Sequence, residues 1–194
     1  MSTSPSTPDP TMDAISAAVL RGRDGDTGSA RRDLLSLWER IGSAGDAFHR
    51  CTLAHYLADL YDDPAESLVW NVRALDATDA LTDERAREHH DTLRVAGFYP
   101  SLHLNLADDF RRLGSFRAAA EHLDRAQDHL SALPDDPYGD TIRTAVHGVR
   151  QAIADRDTAP HRERQRRAPP AEARNGRAGS DRQRPSMPGS RRRP

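Results

Sequence analysis

The sequence predicts an all-α fold, a short stack of about seven or eight helices in antiparallel hairpins, flanked by a disordered N-terminus and a disordered C-terminal tail. Three observations carry this prediction. Apolar residues recur every three to four positions through residues 10–155, whereas alternation of period two is absent and β-branched residues are scarce. Asp-Pro pairs and single Gly residues punctuate the chain where helices start and stop. Only 36% of the residues are hydrophobic and 5% aromatic, so part of the chain has too little apolar surface to order.

Taken in order, residues 1–8 are Ser, Thr and Pro around the initial Met and are expected to be disordered. Asp9-Pro10 opens a first helix carrying Ile15, Val19 and Leu20. The Gly- and Asp-rich run 21–30 is expected as a loop. A second helix follows with Leu34, Leu35, Leu37, Trp38 and Ile41, and stops near Gly42–Gly45. Asp46 is an N-cap for a third helix through Cys51, Leu53, Ala54, Leu57, Ala58 and Tyr61. Asp63-Pro64 opens a fourth, whose buried face is expected to be Leu68, Val69, Trp70, Val72 and Leu75. Thr82 caps a fifth, more polar helix over 82–97. Tyr99-Pro100 starts the sixth, Ser115 caps the seventh after a turn at Gly114, and Asp136-Pro137 opens the eighth, which runs to about Asp155. Residues 156–194 are Arg, Pro, Gly, Ser and Ala with few apolar anchors and are expected to remain a tail.

Charge divides along the same line. Of the 28 Arg and 30 acidic residues, 12 Arg and 4 acids fall in 156–194, so 16 Arg face 26 acids before it. The net charge of −2 therefore conceals an acidic body and a basic tail. Every basic residue is Arg, a uniformity that codon bias in a GC-rich genome produces. The single Cys51 excludes an intramolecular disulfide. The apolar stretch Ala14–Leu20 is too short to span a bilayer, and the N-terminus lacks a charged leader, so the expectation is a cytoplasmic protein with no membrane partner.

One helical hairpin occurs twice. Leu57-Ala58-Asp59 recurs as Leu106-Ala107-Asp108, with Tyr61 and Phe110 at the same distance beyond, and Val72-Arg73-Ala74 answers Asp124-Arg125-Ala126 after a three-residue deletion in the first copy's turn. Here the chain resembles the tetratricopeptide repeat family, whose unit spans about 34 residues. With Pro100 as the first position of the unit, Leu106, Ala107, Phe110, Gly114, Ala119, Leu123 and Ala126 fall on signature positions, while His103 stands where the family often has Trp. The clearest repeat is thus 100–133 and a degenerate one is 51–76, where Asn71 replaces an expected apolar residue. Residues 9–155 form the predicted helical domain. The copies lie 49 residues apart, from Leu57 to Leu106, so the fifth helix is an insertion or an irregular element.

The resemblance implies a superhelix of stacked hairpins whose first helices line a groove for a partner protein or peptide. On it, His55, Asp59, Asn105, Asp108, Arg111 and Arg112 are the candidate partner-binding residues, with Ser101, Leu104, Tyr56 and Asp62 also expected off the core. Asn105 is placed to bond a peptide's main chain and Arg112 to hold a carboxylate.

Catalytic, cofactor and metal sites are not expected. Cys51 and His55 lie four apart, but no His-Glu-x-x-His or Cys-x-x-Cys run completes a metal set, and a small buried thiol accounts for Cys51. His89 and His90 point about 100° apart on a helix. The carboxylate pairs Asp62-Asp63, Asp108-Asp109 and Asp135-Asp136 are read as caps or solvated faces. A chain without Lys carries neither a P-loop lysine nor a Schiff base. The leading expectation is a non-enzymatic interaction module. The alternative is a protein that binds nucleic acid or another polyanion through the tail, by counterion release and without base stacking.

Overall fold

Aspartate starts most of the helices, because its carboxylate accepts a first-turn N–H that has no partner within the helix. In the computed structural model, which describes residues 9–89 and 93–160, Asp9 accepts from the Met12 amide at 3.0 Å and opens α1 (Pro10–Arg23). Asp26 accepts from Ser29 at 3.0 Å to open α2 (Thr27–Ile41), and Asp46 from His49 at 3.0 Å to open α3 (Ala47–Asp59). Asp63 and Asp136 do the same for α4 (Pro64–Asp79) and α8 (Pro137–Ala154), each with Pro in the first turn. Thr82 caps the short α5 (Asp83–His89). Between α6 (Tyr99–Arg112) and α7 (Phe116–Asp128), Gly114 takes φ +75°, a left-handed turn open to Gly. Two single turns of 3₁₀ helix, Val95–Gly97 and Leu130–Ala132, complete an all-α fold without a strand among the described residues.

The expected boundaries need four corrections. The loop at 21–30 shrinks to Asp24–Asp26, since Gly25 at φ +101° turns the chain within three residues. Residues 82–97 hold α5 and a 3₁₀ turn, not one helix; His90 lies outside the described residues. On α4 the buried face is Ser67, Trp70, Asn71, Ala74, Ala77 and Thr78, with Val69 and Val72 exposed, and on α1 Leu20 is exposed too. Ser115 precedes α7 as expected but makes no side-chain cap bond.

Consecutive helices pair as α1–α2, α3–α4 and α6–α7, and each pair rests on the next through α2–α3, α4–α6 and α7–α8. The first helices also touch in α1–α3 and α6–α8. At the seam between α3 and α6, α5 and residues 93–98 supply the filling. Ala86 is fully buried there, and the Phe98 ring meets Phe48 edge-on with centroids 6.3 Å apart. This wedge occupies the residues that lengthen the spacing between the two repeat copies. The apolar interior divides at the same place: one cluster runs from Met12 to Leu102, the other joins Leu104, Ala107, Leu123 and Ala126 to Ile142, Val146 and Val149 of α8. Trp38 and Trp70 meet at 90° with centroids 5.2 Å apart, a contact worth about 1 kcal/mol beyond its buried area, and Arg73 lies over Trp70.

Helix α8 ends in a Schellman turn. The Arg156 amide donates to the Ile153 carbonyl and the Asp157 amide to Ala152, with Arg156 at φ +50° where Gly is the usual residue. Residues 156–160, expected as the start of the tail, are therefore a structured extension of α8; residues 161–194 lie outside the described residues.

Candidate functional site

The six residues expected to line the groove divide by helix. On α3, Asp59 is exposed and His55 half-buried, as a partner-facing surface requires. On α6, Asn105 is 3% exposed and Asp108 and Arg111 are 0% exposed; Ser101 and Leu104 are buried with them. Arg112 is half-buried and donates to the Asp62 main-chain carbonyl, tying the end of α6 to the α3–α4 turn. The expectation that this face of α6 is off the core is overturned. The cause is α8, which packs against α6, together with residues 157–159, which close over its last turn.

Burial on that scale demands pairing, because an isolated charge loses its hydration without recompense. Arg111 donates from Nε and Nη2 to Asp108 Oδ1 at 3.0 and 2.7 Å. Its remaining N–H groups reach the main-chain carbonyls of Asp157 and Ala159, the latter at 2.9 Å. Asp109, read as solvated, is also fully buried. It accepts from Asn71 Nδ2 at 2.7 Å and Ser67 Oγ at 3.2 Å across the α4–α6 seam. Asn71 was the one departure from apolar pattern in the degenerate copy, and that departure was the available signal for the buried Asp109.

A second departure, His103, opens an aromatic ladder. Tyr99, His103 and His129 stack, His103 meets His122 at 5.3 Å, and His122 stacks on Phe110. His103 Nδ1 and His122 Nδ1 are 3.1 Å apart, within hydrogen-bond distance, the donor being set by the tautomer. Burial, reinforced by His122, Arg125 and His129, pushes His103 down to about 4; Asp79 opposes this weakly. Burial and Arg125 lower His122 as well. The Tyr99 hydroxyl donates to Asp79, and burial with that bond pushes it up to about 12.

At the opposite end, the caps of α1 and α3 serve a further purpose. His49 Nε2 lies 2.8 Å from Asp9, and Arg85 of α5 donates to both oxygens of Asp46 at 2.7 and 3.1 Å. Burial works against the Asp46 carboxylate, but bonds from Arg85 and the His49 amide outweigh it and hold the group below its ordinary range; Asp9 behaves likewise through His49 and Met12. The cluster fastens the inserted α5 to the first two hairpins.

Chemistry of the reactive kind is little represented. Cys51 Sγ lies 3.0 Å from Thr78 Oγ1 in the α3–α4 interface, the buried thiol expected of it. Among the described residues no three His, Cys, Asp or Glu side chains converge to hold a metal ion, and no helix is long and apolar enough to cross a membrane. What does form is a crevice between α3 and α6, lined by Cys51, Thr52, His55, Tyr56, Phe98 and Ser101 with Leu102. Its Thr52 hydroxyl is buried and has no hydrogen-bond partner among the described residues. Compared with known proteins, the chain matches no family model, no curated sequence and no solved structure.

Proposed function

We propose that the protein is a non-enzymatic interaction module of the tetratricopeptide type, binding a partner protein or peptide along the α3 side of its stack. The observation that carries this reading is the crevice beside α3, where half-buried His55 and Tyr56 and the Thr52 hydroxyl, without a partner among the described residues, adjoin the first helix of the next hairpin, with exposed Asp59 one turn further along α3. Stacked hairpins of this contact pattern present their first helices along one surface. Because α6 is covered, Asn105, Asp108 and Arg111 pass from the partner-facing set to the supporting structure, and Tyr56 joins His55 and Asp59. In-cell crosslinking should therefore recover proteins with the wild-type chain that Tyr56→Ala with Asp59→Arg loses by about tenfold, the scale of one or two interface anchors. An unchanged set of crosslinked proteins, with an unchanged melting curve, would sink the reading.

A second reading rests on the tail alone. Its Arg excess over 156–194 suits a polyanion held by phosphate contacts. A gel shift with the full chain should weaken steeply with salt and vanish for a chain ending at Pro160; retention by that shorter chain excludes the mechanism.

A further inference from the structure

Arg111 is the largest fully buried side chain of the described residues, and half of its hydrogen bonds go to main chain that belongs to no helix. A guanidinium that donates to two carbonyls of a segment, two residues apart, recognises peptide backbone as such. Asp108 fixes the orientation of the fork, its Oδ1 accepting from both Nε and Nη2. The held segment is short and self-organised: the Ala159 amide donates to Asp157 Oδ1 at 2.8 Å. At its root, Arg156 carries the chain off α8 through a left-handed conformation and lies over the Phe116 ring, 4.6 Å from the centroid. Thus α6 and the start of α7 already contain a peptide clamp, with an occupant in it.

We propose that residues 156–160 are a detachable internal ligand of this clamp, seated in cis and exchangeable for the same segment from a second copy. The argument for this occupant, rather than a foreign one, is that the structure shows it in place and that it leads directly into the Arg-rich stretch 162–167. Unseating the segment therefore opens Arg111. The inference concerns α6 and does not depend on the α3 crevice.

Fluorescence anisotropy of a labelled peptide spanning residues 155–161, added to full-length protein, tests it. A seated cis segment lowers the apparent affinity by the fraction of open clamps, so Arg156→Glu in the full chain should bind the peptide about two- to fivefold more tightly than the wild type. Adding Phe116→Ala to that variant should reverse the gain, and Arg111→Lys should abolish binding. Should Arg111→Lys fail to fold, Phe116→Ala, at a half-buried surface position, decides the matter. Equal binding by wild type and Arg156→Glu, no binding by either with helical circular dichroism intact, or indifference to Phe116→Ala would each overturn the proposal.

Discussion

Asp59 and Asp108 occupy the same place in two copies of one hairpin, each directly after Leu-Ala, yet Asp59 is exposed and Asp108 fully buried. The difference lies one turn further on. In the first copy the next residue on that face is Asp62; in the second it is Arg111. Two carboxylates on one helix face must keep their water, whereas an acid and a base three apart can neutralise each other and be covered. Helix α8 and residues 157–159 cover the second pair. One repeat copy thus keeps a solvated acid on the last turn of its first helix, whereas the other has its acid covered by its own chain's C-terminal extension.

The sharpest way to break this comparison is to remove the acid from each copy. Asp108→Ala leaves Arg111 buried with half its partners gone and should cost about 3–5 kcal/mol in denaturant unfolding, while Asp59→Ala should stay within about 0.5 kcal/mol. Equal costs would show that the two environments do not differ as described. The next contrast uses the α4–α6 seam. Asn71→Leu restores the apolar residue the repeat pattern expects but takes from buried Asp109 its shorter hydrogen bond, at about 2 kcal/mol. Adding Asp109→Leu should recover most of that loss, since replacing both partners removes the buried charge along with its lost donor. A double variant as unstable as the single one would mean that the seam needs its polar atoms for shape rather than for pairing.

The legibility of these features follows from which residues had a local signature. Caps at Asp9, Asp46, Asp63 and Asp136, and the turn at Gly114, depend on neighbours in sequence, and all lie where the sequence places them. Whether α6 is an outer or an inner helix depends on α8 and on residues 157–159, the latter more than 40 positions from Arg111, and helical periodicity carries no information about that. The signs that were present were two departures from the repeat pattern, Asn71 for an apolar residue and His103 for Trp, and the spacing of Arg111 three residues after Asp108. Each marked a buried polar contact. Reading Asp108-Asp109 as solvated and 156 as the first tail residue followed from treating charged segments as exposed by default.

The histidine ladder extends the contrast to pH, since it belongs to the second hairpin alone. The unfolded chain protonates His103 near 6.5, while the folded chain resists protonation until about 4. Stability from this source is therefore complete above about pH 6.5 and falls as pH drops from there toward about 4, by roughly 2 kcal/mol between about pH 7 and about pH 5. His103→Phe should remove that dependence, because a ring of similar shape then fills the stack without titrating. A melting temperature that falls with pH equally in wild type and variant would assign the acid sensitivity elsewhere.

The smallest expected effect is the most discriminating for the C-terminal extension. Arg156 holds a left-handed conformation that costs a non-glycine residue about 1 kcal/mol, and its guanidinium over Phe116 returns about 0.5–1 kcal/mol. Arg156→Gly relieves the first and forfeits the second, so thermal unfolding should move by less than about 0.5 kcal/mol. The near-zero sum has two components that separate under a second substitution. With Phe116→Ala already in place the stacking is gone, and Arg156→Gly should then stabilise the protein by about 1 kcal/mol. If Arg156→Gly stabilises the wild type by that same amount, the contact with Phe116 contributes nothing, and the Arg at this turn is merely tolerated.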